Sequence, residues 1–136
     1  MELKVRISEE LPQIEANRVL LVWALENIVK NAIDALAGRG GRITILARKG
    51  NDSVDIDIAD DGPGIDASVR DRIFEAGVST KTSGWGVGLS LTQRIVENLH
   101  GGRVAVRNRS AGGAVFEIEL PAAGNRKRKR VRMFGV

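Results

Sequence analysis

Asn27 and Asn31 stand four residues apart in ALENIVKNAIDA (24–35), one turn apart on the same face of an expected helix. Asparagine is a poor helix former, because its amide competes for backbone hydrogen bonds. Two of them in an otherwise apolar helix point to a use for the amides. Lys30 and Asp34 extend the stripe at i+3 and i+7 from Asn27. Amide oxygens are hard ligands, and Mg²⁺ takes one or two protein oxygens together with phosphate oxygens and water. The plainer reading of the stripe is a solvated face, with Glu26 and Lys30 as an ordinary ion pair.

Two glycine clusters follow. DDGPG at 60–64 closes a strand-like run. Gly62 and Gly64 allow positive φ or close approach by a flat ligand, and a carboxylate at the strand end can accept from an exocyclic amine. A tight Asp-Gly-Pro turn is the plainer alternative. An EF-hand does not fit, since Ala59 and Ser68 would fall where oxygen ligands and the bidentate glutamate are required. GWGVG at 84–88 opens a further helix, and bare backbone amides at a helix N-terminus make an anion site. Lys81 and the hydroxyls of Ser79, Thr80, Thr82 and Ser83 could add phosphate contacts. No GK[ST] follows, so it is not a P-loop, and the GxGxG spacing is not a dinucleotide fingerprint. A flexible linker would also account for it. The order of the three features is that of a nucleotide pocket.

The elements that must carry these residues are expected as follows. Leu3, Val5 and Ile7 alternate with polar residues and predict a strand. A long helix is expected over 15–37, with Trp23 in its core face and Gly38 at its end. Strands are expected at 42–48 and 53–59, a short helix at 67–74, and a loop at 75–86. A third helix over 87–99 ends near Gly101-Gly102, and strands at 103–109 and 114–120 are joined by the hairpin 110–113. The count of about five strands and three helices predicts a two-layer α/β sandwich with a mixed, mostly antiparallel sheet.

Composition sets the outer bounds. The 136 residues suit one domain, and 43% hydrophobic content suffices for a core. The absence of cysteine excludes disulfides and thiolate metal sites. No apolar run approaches the roughly 18 residues of a membrane span. The net charge of +4 is uneven: residues 121–136 hold six Lys or Arg and no acid, leaving the other 120 residues at −2. RKRKR could bind nucleic acid or an acidic membrane, but no aromatic residue interleaves the charges. The tail, 123–136, therefore reads as a disordered extension of a domain at 1–122, and nucleic acid is not the favoured partner.

Taken together, NIVKNAIDA, DDGPG, IFEAGVSTK, GWGVGLSL and GGAVFEIELP resemble the N box, the DxGxG box, the F box with the start of an ATP lid, the second glycine box and the closing strand of the GHKL superfamily. The closest likeness is to the catalytic ATP-binding domain of sensor histidine kinases, and it runs from about residue 17 to 121. The resemblance implies a Bergerat fold, with ATP and Mg²⁺ as cofactors. It implies that Asn31 and Asn27 hold the metal and act in catalysis, and that Asp60, rather than Asp61, reads adenine. ATP contacts are implied for Asn31, Asp34, Asp60, Gly62, Gly64, Ile65, Lys81, Gly84, Gly86, Val87, Gly88 and Leu89, with a lid over 75–86.

Hydrolysing members of the superfamily carry a glutamate where Asn27 stands. A neutral amide is a poor general base, and Glu26 lies about 100° away around the helix. The resemblance thus implies γ-phosphoryl transfer to a histidine on a separate dimerisation and phosphoacceptor domain, and from there to a response-regulator receiver domain. Hydrolysis and non-catalytic nucleotide binding are the alternatives. The single histidine, His100, is expected to cap a helix rather than accept phosphate. A cytoplasmic location follows from the likeness, in a parent protein that could be a membrane-anchored sensor.

Overall fold

The computed structural model describes residues 1–75 and 88–124. Five strands form one sheet in the order β1-β2-β3-β5-β4: β1 (Glu2–Ile7), β2 (Arg42–Lys49), β3 (Ser53–Asp60), β4 (Arg103–Asn108) and β5 (Ala114–Pro121). The β1–β2 pair is parallel and the other three pairs are antiparallel. The expected mixed, mostly antiparallel two-layer sandwich is what forms.

Strand alternation divides the sheet into two unlike faces. On the inner face Ile58 stands opposite Phe116, Ile56 opposite Ile118 and Val54 opposite Leu120. Val104 and Val106 of β4 continue that row beside Ile118 and Phe116. These residues, with Ile28 and Leu36 of the first helix, form the core. The outer face is charged: Arg48 binds Asp57 and Arg107 binds Glu117, each at 3.0 Å.

The helix layer lies on the inner face. α1 (Arg18–Ala35) packs on β3 and against α3. It begins three residues later than the 15–37 expected, because Asn17 caps it: its Oδ1 accepts the Leu20 N–H at 3.1 Å. Gly38, at φ +84°, turns the chain away as expected. α2 (Ala67–Arg70) is only one turn. The chain then continues in i→i+3 turns that bury Ile73 and bring Phe74 edge-on to Phe116, their centroids 6.1 Å apart.

α3 (Gly88–Gln93) is α-helical, but its continuation over Arg94–Leu99 is π-helical, where an unbroken α-helix was expected. The wider turns end on His100, which is buried (3% exposed). Its Nε2 accepts the backbone N–H of Asn17 at 3.0 Å, so Nδ1 carries the proton and donates to the Ile95 carbonyl at 2.8 Å. The expected cap is thus more than local: the imidazole ties the end of this helix to the start of α1.

One expectation about burial fails. Trp23 is 36% exposed rather than in the core, and Val19, Val22 and Ile33 are exposed too. Only one flank of α1 meets the sheet and α3, and Leu21, Ala24, Ile28 and Ala32 already fill it. Likewise Leu3, Val5 and Ile7 share the inner face with Ile43, Ile45 and Ala47, yet remain at least half exposed, because the helix layer stops short of the edge strand. Among the described residues no helix is long and apolar enough to cross a membrane.

Candidate functional site

The position of Asp60 follows from strand geometry. Val54, Ile56 and Ile58 point inward, and a period of two carries Asp60 to the same face. It is 3% exposed, and its Oδ1 accepts the Gly62 N–H at 2.9 Å. Its second carboxylate oxygen has no partner among the described residues. Asp61 points the other way and is exposed, with Oδ1 accepting the Arg42 N–H at 2.8 Å. A buried carboxylate with an acceptor unused among the described residues is suited to a ligand's donor, a position that exposed Asp61 does not share.

Asp60 opens into a cleft of about 340 Å³, within the range that suits a small-molecule ligand. α1 supplies Asn31, Asp34 and Ala35 as one wall, and the loop after β3 supplies Pro63, Gly64, Ile65 and Asp66. Ile73, Ala114 and Phe116 make the floor apolar. Gly64 holds φ +84°, a conformation that side chains disfavour. The described lining contains three carboxylates and no cation. It suits the neutral, amine-bearing end of a ligand better than an anionic one. An anionic end would have to extend along α1 toward Asn27 and the start of α3.

The structure therefore gathers Asn31, Asp34, Asp60, Gly64 and Ile65 around one cleft, with Gly62 buried directly behind Asp60. Asn27 faces α3 instead: its Nδ2 donates to the Gly88 carbonyl at 3.3 Å and to Thr92 Oγ1 at 3.5 Å, while Oδ1 has no partner among the described residues. Gly88 and Leu89 begin α3 and are buried, and a Cβ on Gly88 would stand 3.2 Å from Asn27 Nδ2. Lys81, Gly84, Gly86 and Val87, with Trp85 and all of the expected lid (75–86) except Glu75, lie outside the described residues.

Sequence reasoning missed three supports beneath the cleft. Arg109 donates to the Asp60 carbonyl at 2.9 Å, Asn108 grips the backbone of Ile65, and Gly113 passes close over Asp60. All three belong to the β4–β5 hairpin, which reads as an ordinary turn. A side chain that binds a backbone 43 residues away leaves no mark on local spacing.

A buried acid at a strand end, glycines beside it and a helix amide across the cleft define a nucleotide-binding domain of the GHKL type. The chain belongs to the family of histidine kinase-, DNA gyrase B-, and HSP90-like ATPases, whose pattern matches residues 16–124. It is 42% identical over 116 residues to the signal transduction histidine-protein kinase AtoS of Escherichia coli K12, covering 85% of this chain and 19% of AtoS. It is 37% identical over 123 residues to the alginate biosynthesis sensor protein KinB of Pseudomonas aeruginosa, covering 89% and 20% respectively. The chain thus spans about a fifth of the length of these relatives. The catalytic domain of the histidine kinase ThkA superposes with a TM-score of 0.74 at 33% identity, covering 88% of this chain and 79% of that one. Full-length ShkA, solved in complex with AMPPNP, superposes with a TM-score of 0.76 at 34% identity over 90% of this chain and 26% of that one. Membership of an ATPase family implies that the chain binds a nucleotide.

Proposed function

We propose that the chain is the ATP-binding catalytic domain of a cytoplasmic histidine kinase module, which passes the γ-phosphoryl of ATP to a histidine on a separate dimeric acceptor domain. The observation that carries the reading is the cleft itself, with the buried, half-satisfied Asp60 across from Asn31.

In this reading Asp60 accepts from the adenine amine, and the ring lies between Gly64, Ile65 and the apolar floor. The phosphates run along α1 past Asn31 toward Asn27, Gly88 and Leu89, with Lys81, Gly84, Gly86 and Val87 adding contacts from the lid. Among the described residues no group of three or more His, Asp or Glu side chains could hold a metal by itself. That matches a Mg²⁺ held through Asn31, with Asn27 Oδ1 as second oxygen, and otherwise through phosphate and water. Such an ion neutralises phosphate charge, and phosphoryl transfer requires little beyond that and positioning. A general base within reach of a water is not supplied by Asn27, which favours transfer over hydrolysis.

The partners follow from the relatives. ThkA has been solved in complex with the response regulator TrrA, which supports a receiver domain as the final acceptor here. The test is to mix the chain with a dimeric acceptor domain of the family and γ-labelled ATP. Acid-labile label on the acceptor histidine is expected, with negligible ATP turnover by the chain alone. Free phosphate instead would mark a hydrolase, and binding without either product a regulatory module.

A further inference from the structure

The segment from Asp61 to Ile65, which follows β3, makes one side of the cleft but has left the sheet, so no strand ladder fixes it. Asp61 keeps one backbone bond, to Arg42, at 3.3 Å, and the Gly62 N–H turns back to Asp60. Asp61 Oδ1 adds a bond from the Arg42 N–H at 2.8 Å, and the far end of the segment is held by the β4–β5 hairpin. Asn108, the last residue of β4, accepts the Ile65 N–H on Oδ1 at 2.8 Å and donates from Nδ2 to the Ile65 carbonyl at 2.9 Å. These two bonds give Ile65 what a paired strand would give it. Gly64 leaves room for the contact, since a Cβ there would stand 2.9 Å from Asn108 Oδ1. The neighbouring Arg109 holds the Asp60 carbonyl at 2.9 Å, and Gly113 crosses so near that carbonyl that a Cβ would collide with it. The hairpin therefore grips both ends of the segment, yet neither Asn108 nor Arg109 lines the cleft.

We propose that Asn108 is a positioning residue for the base end of the nucleotide: its amide sets the place of Ile65 and Gly64 and hence the width of the adenine slot. The proposal rests on the nucleotide reading of the cleft. A binding constellation must be held to within about 0.5 Å, and hydrogen bonds set direction where apolar contact does not. Because Asn108 acts at the base end, its loss should weaken every adenine nucleotide by the same factor, with or without metal.

The test measures affinity for ADP without metal and for ATP with Mg²⁺, well below the melting temperature, in Asn108→Ala and Asn108→Asp. Losing both bonds should cost about ten-fold in each affinity. Asn108→Asp should do at least as badly, since it sets a carboxylate oxygen against the Ile65 carbonyl. Unchanged affinities overturn the proposal, including the case where only the melting temperature falls, and so does a loss confined to Mg·ATP. If the unsubstituted chain binds neither nucleotide, the reading of the cleft fails and this proposal with it. Binding by the unsubstituted chain with no effect of either substitution overturns the proposal alone.

Discussion

At the scale of single residues, the burial of Asp60 is what suits it to the recognition role proposed for it. One oxygen is spent on Gly62, and the other is held in a 3% exposed position with no protein donor among the described residues. In the proposed reading an adenine amine would satisfy it, whereas guanine would present a carbonyl there and leave two acceptors facing one another. Asp60→Asn keeps the bond to Gly62 but replaces the free acceptor with a donor. We expect it to lose about 2 kcal/mol of ATP affinity, roughly thirty-fold, and most of its preference over GTP. Calorimetric titration with both nucleotides checks this, and an unchanged ATP-to-GTP ratio would remove the assignment. The sequence singled out Asp60 over Asp61 only through the resemblance to the DxGxG box; the structure adds that Asp60 is buried and Asp61 exposed, as the Val54, Ile56, Ile58 alternation requires. Asn27 was legible only in part: its spacing from Asn31 showed a shared helix face, while its bond to Gly88 depends on where α3 lies.

At the scale of elements, the α1–α3 pair is tied at both ends. Asn27 joins it near the cleft through Gly88, and His100 joins it at the far end through Asn17. Between these ties the contact is apolar and non-directional, so the hydrogen bonds set how the helices register along each other. His100→Leu would fill similar space but leave the Asn17 N–H and the Ile95 carbonyl without partners. A destabilisation of about 2–3 kcal/mol is expected in urea unfolding, and a change below 0.5 kcal/mol would show that the tie is dispensable. The π-helical turns before His100 could not be read from periodicity, which does not separate a π-helical from an α-helical turn over six residues. The extent of the helix layer was equally hidden. Leu3, Val5 and Ile7 carry a regular buried-strand pattern, yet what decides their exposure is whether a helix reaches the edge of the sheet.

At the scale of the whole molecule, the fold sets two unlike groups across one cleft: an amide from the N-terminal helix, and a carboxylate with glycines from the end of a central strand. The order of the five strands, with β5 between β3 and β4, places the hairpin beside the end of β3 that carries Asp60. Element types and the mixed sheet were legible because the apolar periods of two and near four are long and regular. The hairpin's grip on the cleft loop was not, because it is made by contacts between distant parts of the chain. The most direct test of the central claim is a nuclear magnetic resonance titration of the chain with Mg·ATP. The side-chain amide of Asn31 and the backbone amides of Asp61, Gly62, Gly64 and Ile65 should move together at one saturating concentration. Resonances that stay in place there, with changes on the charged outer face of the sheet instead, would contradict it.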